Sequence, residues 1–179
     1  IISRAKNSIK SPAKFMLVGA MNPSPCGFLG DREKQCTCSD FQIKRYLSKL
    51  SGPLLDRIDL VVNVPRLTTE ELTNTTSDAE PSSEIRKRVI RARKIQAERY
   101  KNENILTNSE LSAKQIKQYC ALDETSANFL KEAAQKYMLS GRKYNRILKM
   151  ARTIADLEAK ENIELKHLTL ALQYRIDMN

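Results

Sequence analysis

The chain has no tryptophan, a single histidine, and only six tyrosines and four phenylalanines among its 179 residues. Any core it builds must therefore be aliphatic. No apolar run approaches the ~20 residues that span a bilayer, and no secretory leader pattern opens the chain. These absences exclude a membrane span and point to a soluble cytoplasmic protein. The five glycines, Gly19, Gly27, Gly30, Gly52 and Gly141, cannot be arranged into G-x-x-x-x-G-K-[ST], so the loop that cradles nucleotide phosphates is missing. Four cysteines, Cys26, Cys36, Cys38 and Cys120, make no disulfide framework of the secreted kind, and reduced thiols are expected. The chain opens on IISRAKNSIKSPAKF rather than on Met and reads as a piece of a longer protein.

What is present is charge of one sign. A formal charge of +10 and a pI near 9.5 favour a polyanionic partner such as nucleic acid, although many soluble domains are merely basic. The charge is concentrated in two places. SRAKNSIK, with Arg4, Lys6 and Lys10 among small residues, suits a basic hairpin arm, and SSEIRKRVIRARKIQAERYK is a basic helix whose stripe is either a phosphate-binding or a solvated face.

Three zones follow from the hydrophobic pattern. Residues 15–20 and 60–64 read as short buried strands, with a helix at 39–50 between them capped by Ser39 or Asp40. Buried strands separated by a helix predict part of a parallel α/β sheet. Residues 67–83 are Thr- and Ser-rich and read as a polar linker. The rest is helical. One helix is expected over 83–100, with Ile85, Val89, Ala92 and Ile95 inward. A second follows Ser112, where Ser112-x-x-Gln115 is a capping box, and three more are expected at 124–138, 140–160 and 166–175.

Four features carry chemistry. Asn22, at the exit of the first expected strand, sits where α/β folds place ligand-binding groups, or is simply part of an Asn-Pro turn. Cys26-x9-Cys36-x-Cys38 offers three soft ligands, with Asp31, Asp40 or water as a fourth. Tetrahedral zinc wants four, and His167 lies far off in sequence, so metal-free thiols are the preferred reading and Zn2+ the alternative. Arg142 falls in the first turn of a helix, where a cation opposes the helix dipole and hints at a nearby anion. Arg146 and Arg152 read as surface residues. Last, Arg57 is set between Asp56 and Asp59 in an apolar segment, GPLLDRIDLVVNVP, and must be matched either by those acids or by a group that another molecule brings.

Taken together, ISRAKNSIKSPAKFMLVGAMNPSPCG, CTCS, SGPLLDRIDLVVNVP, LSGRKYNRILKMARTIADLE and ALQYR resemble the magnesium-chelatase-related AAA+ ATPases of the ComM/YifB type, in order and spacing over nearly the whole chain. The resemblance implies a carboxyl-terminal piece. The end of a P-loop α/β core would occupy residues 1–66 and a helical lid 83–179, with 67–82 as linker. It implies sensor 1 at Asn22, an arginine finger at Arg57, sensor 2 at Arg142 with Arg146 in reserve, and a DNA-gripping pre-sensor hairpin carrying Arg4, Lys6 and Lys10. Asp56 and Asp59 would hold the Arg57 guanidinium until a neighbouring subunit docks. ATP and Mg2+ would be cofactors of the intact protein, DNA a partner, and a homo-oligomeric ring, hexameric by analogy, the assembly. Without the phosphate-cradling loop and the acidic Mg2+-binding strand end, the piece alone is expected to be inactive. The family often has a further cysteine where this chain has Ser24, which counts against zinc. The expected role is ATP-driven movement on DNA, of the branch-migration kind. The alternatives are a chelatase-type motor acting on a protein and a non-catalytic nucleic-acid-binding module.

Overall fold

The structure is a computed structural model that describes residues 2–4, 7–9, 15–55, 57–73 and 79–176. The chain divides into two compact units, Ile1–Lys49 and Leu50–Asn179. In the first, β1 (Ile2–Arg4) and β2 (Asn7–Ile9) pair antiparallel, with Ile2 opposite Ile9 and Arg4 opposite Asn7. The basic arm is thus a hairpin; Lys6 and Lys10 lie outside the described residues. Residues 15–39 are neither helix nor strand, and α1 (Asp40–Leu47) follows. Its start is fixed by a reciprocal cap: the Gln42 amide donates to Ser39 Oγ at 3.3 Å, and the Ser39 amide to Gln42 Oε1 at 2.9 Å.

The second unit is helical. Two short helices, α2 (Gly52–Leu55) and α3 (Thr69–Thr73), precede α4 (Ser82–Arg99), a 3-10 turn (Asn108–Glu110), α5 (Ala113–Tyr119), α6 (Glu124–Lys136), α7 (Gly141–Leu157) and α8 (Leu165–Ile176). The stripe on α7 organises them. Ile147, Leu148, Ala151 and Ala155 recur at helical spacing and are buried, and α7 packs against α8, α4, α5 and the 3-10 turn. Leu130, Leu168, Ala171, Ile163 and Tyr100 complete an aliphatic core in which the Tyr100 and Tyr119 rings meet edge to face, 5.2 Å apart. The capping box expected before α5 forms: Ser112 Oγ accepts from the Gln115 amide at 3.3 Å, and Gln115 Oε1 from the Ser112 amide at 2.9 Å.

Both α6 and α7 end in the same way. Met138 and Ala159 adopt left-handed φ values of 45° and 55°. The amides of Leu139 and Lys160 reach back to the carbonyls of Ala134 and Ala155, at 3.0 and 2.8 Å, while those of Met138 and Ala159 bond Gln135 and Asp156. These are Schellman closures built without glycine.

The α/β expectation is overturned. Residues 15–20 and 60–64 form no strand, and the hairpin is the only sheet among the described residues. Met16 and Val18 are 87% and 81% exposed and Val64 is 81% exposed. An apolar run becomes a strand only where neighbouring strands take its amides and cover its faces, and no described strand flanks either run. The inward stripe expected on α4 also holds only in its second half. Ala92 and Gln96 are buried where α4 meets α7, whereas Ile85 and Val89 face solvent. No helix among the described residues is long and apolar enough to cross a membrane.

Candidate functional site

Arg57 follows α2 directly. Its amide donates to the Leu54 carbonyl at 2.8 Å, closing the turn that points the side chain outward. The guanidinium is exposed and touches the Pro53 carbonyl at 3.4 Å; it makes no ion pair among the described residues. Asp59, the neighbouring acid among the described residues, does not hold it. Asp59 instead pairs with Arg146 of α7 at 3.1 Å, which corrects the expectation that Asp59 would screen Arg57; Asp56 lies outside the described residues. Two residues on, the Val61 amide donates to the Tyr174 carbonyl of α8 at 3.2 Å. The loop bearing Arg57 is therefore fastened to the helical body while its guanidinium is left facing out.

Arg142 is exposed in the first turn of α7, one residue into a helix capped by Ser140, whose Oγ accepts from the Lys143 amide at 3.3 Å. One turn on, Arg146 is largely covered and tied to Asp59. Next along that face, Lys149 donates to the Ser109 carbonyl at 2.9 Å, and burial pulls its pKa down against the attraction of Asp59.

In the first unit Asn22 is exposed and precedes a turn with Gly27 and Gly30 at φ of 83° and 78°, conformations that side chains with a Cβ resist. That turn gathers the thiols. The sulfurs of Cys26, Cys36 and Cys38 all lie within 4.8 Å of one another, and Cys26 and Cys36 are 3.4 Å apart. Ser24, fully buried, puts its Oγ 3.4 Å from the Cys26 sulfur and 3.8 Å from that of Cys36. Hydrogen bonds from Ser24 and from the Phe28 backbone draw the Cys26 thiol well below its ordinary pKa; burial and contact with Cys26 push Cys38 up. Asp31 is spent elsewhere, its Oδ1 accepting the amides of Glu33 and Lys34 at 2.9 Å each.

Sequence comparison bears on both units. The family described as magnesium chelatase, subunit ChlI matches residues 1–72, and its C-terminal counterpart, magnesium chelatase, subunit ChlI C-terminal, matches residues 79–175. Competence protein ComM of Haemophilus influenzae is 47% identical over 98% of this chain, and the YifB proteins of Salmonella typhimurium and Escherichia coli are 40% identical over 97%. The chain belongs to the magnesium-chelatase-related family of the ComM/YifB type. It spans 33% of the length of each of these relatives.

In this chelatase-related chain the most elaborate polar cluster is one that sequence reading passed over. Arg152, expected on the surface, is 3% exposed. Its Nε donates to Asp156 at 3.1 Å, and its terminal nitrogens reach the Lys160 and Glu161 carbonyls at 2.6 Å each. Asp156, wholly buried, also accepts from Gln96 at 3.2 Å, Asn108 at 2.8 Å and both terminal nitrogens of Arg99. Burial lowers the pKa of both arginines. For Arg99 the bidentate bond to Asp156 outweighs burial and leaves the pKa raised; for the more deeply buried Arg152 it does not. The only hint in the sequence was an i, i+4 Arg–Asp pair on the inward side of α7. His167, also buried, accepts the Glu164 amide at Nδ1 (2.9 Å), so Nε2 carries the proton and donates to Glu158 at 3.2 Å. Both its nitrogens are thereby engaged in holding the start of α8.

Proposed function

We propose that this chelatase-related chain is the carboxyl-terminal part of a ring-forming ATPase that couples ATP hydrolysis to movement on DNA. The observation that carries the reading is Arg57: an exposed guanidinium on a fastened loop, with Asp59, two residues along the chain, paired with Arg146. Phosphoryl transfer depends chiefly on positioning and on stabilising charge, and an arginine supplied from a neighbouring subunit contributes about 10³–10⁵ in rate. Arg57 fills that role in this proposal, reaching a nucleotide held by the next subunit. Asn22 would orient the attacking water. Arg142, rather than Arg146, would meet the phosphates of its own subunit, because Arg146 already has a carboxylate partner.

These donors suit phosphate oxygens. They do not suit Mg2+, which takes carboxylate, phosphate and water oxygens, and residues outside this chain would hold that ion and the phosphate-cradling loop. Bound ATP supplies the phosphoryl group; the residues here orient and neutralise. DNA is the proposed track, supported by the charge of +10, the basic hairpin that bears Arg4, and the name of the competence-protein relative. Residues 83–179 would act as the lid.

The test uses the intact protein. Its ATPase rate is measured with and without single-stranded and four-way-junction DNA, for the wild type and for Arg57→Ala. The proposal expects stimulation by DNA, and nucleotide binding retained in the variant with turnover reduced at least a hundredfold. Turnover within a few-fold of wild type removes the finger assignment. Turnover indifferent to DNA favours a motor acting on a protein partner, as the chelatase family description would suggest.

A further inference from the structure

The thiol cluster in residues 24–38 is not used by that reading, and its geometry is specific. Tetrahedral zinc with Zn–S bonds of ~2.3 Å sets its sulfurs ~3.8 Å apart, and an oxygen ligand at ~2.0–2.1 Å lies ~3.6 Å from each sulfur. Here the three sulfurs lie within 4.8 Å of one another with one pair at 3.4 Å, and Ser24 Oγ is 3.4 and 3.8 Å from two of them. Three free thiols thus already lie together, with the Ser24 hydroxyl against two of them. Ser24 is fully buried, and its hydroxyl accepts the Leu29 amide at 3.3 Å and the Cys36 thiol at 3.8 Å; once that thiol is ionised, the lone pair it occupies faces the cluster. Three soft sulfurs and one oxygen form a donor set that selects zinc over Mg2+ or Ca2+.

We propose that Cys26, Cys36 and Cys38, with the Ser24 hydroxyl as fourth donor, hold one Zn2+ ion. The thiols bind as thiolates, so loading releases their protons to solvent. A closed four-ligand site of this kind is structural. Its effect is to cross-link the turn that begins two residues after Asn22. That side chain already lies 3.6 Å from the position a Cβ would take at Gly27, so the metal fixes the ground on which Asn22 stands.

The experiment titrates the full chain, reduced and freed of metal, with Co2+ and then Zn2+. The expected result is saturation at one equivalent, with tetrahedral d–d bands and sulfur-to-cobalt charge transfer of three-thiolate intensity, all displaced by one equivalent of Zn2+. Cys36→Ser should lose at least a hundredfold in affinity, and Ser24→Cys should raise the charge-transfer intensity by about a third. The wild-type titration alone decides the matter if a variant misfolds. An octahedral spectrum, binding that does not saturate at one equivalent, a Cys36→Ser variant that keeps the bands, or a reduced chain that ignores both metals and closes a Cys26–Cys36 disulfide in air would each overturn the proposal.

Discussion

Replacing Asp156 with alanine should be among the most damaging single changes to the helical unit. The carboxylate is wholly buried and accepts five hydrogen bonds from four side chains: Gln96, Asn108, Arg152 and both terminal nitrogens of Arg99. Its removal leaves two guanidinium groups without a counter-charge, one on a side chain 3% exposed and the other on one 17% exposed. Breaking one side of a buried pair costs about 3–5 kcal/mol. Whole domains are stable by only about 5–15 kcal/mol, so the variant should lose a large share of its stability. The assay is urea unfolding of the full chain followed by helical circular dichroism. The midpoint should fall sharply with little change in slope. Arg88→Ala, which breaks a surface pair with Glu80, serves as the comparison and should cost no more than about 1 kcal/mol. The double variant Asp156→Ala/Arg152→Met should be less unstable than additivity predicts, because it removes a charge that the first change orphaned. A loss below about 1 kcal/mol for Asp156→Ala would refute the reasoning and mean that water reaches the arginines.

Two further outcomes follow from helix ends. Met138→Gly and Ala159→Gly, at the left-handed positions that close α6 and α7, should each raise stability by about 0.5–1 kcal/mol in the same urea assay, and an unchanged midpoint would show that the strain is relieved in another way. The carboxyl groups of Asp123 and Glu158 are both held below their ordinary values, the first by the Ser126 amide and the second by hydrogen bonds from Lys166 and then His167. Their folded pKa values are depressed, so their stabilisation is complete above the unfolded carboxylate values of about 4 and is lost as pH falls through the folded ones. Thermal midpoints should be level from about pH 7 to 5 and drop below about pH 4, and Asp123→Asn/Glu158→Gln should blunt that drop.

Sequence reading succeeded where the signal is local and failed where it depends on distant partners. Ser112 announces its helix because a capping box needs only four residues, and Ser39 is one of the two caps the sequence offers for α1. The α7 stripe of Ile147, Leu148, Ala151 and Ala155 is legible because an amphipathic helix records its environment at every turn. The expected C-terminal ends of α6 and α7 lie two and three residues too far along, since Met138 and Ala159 occupy positions usually marked by glycine. Residues 15–20 and 60–64 read as strands because short apolar runs carry no information about what will pair with them. Arg152 read as surface because one sequence cannot show that Gln96, Arg99 and Asn108, more than forty residues away, converge on the same carboxylate. The three cysteines are legible as a group, and the Ser24 position is marked by the resemblance; that the Ser24 hydroxyl is buried against two of the sulfurs is not, because a serine substitution alone reads as the loss of a ligand.

The two fastenings of the loop after α2 tie it to α7 and α8. Asp59 is clipped to Arg146 on α7 and Val61 to the backbone of α8, with Arg57 just upstream of both. Arg57 is therefore only two and four residues of chain from its ties to α7 and α8, and the first turn of α7 carries Arg142. Two exposed guanidiniums, Arg57 and Arg142, thus share one helical frame.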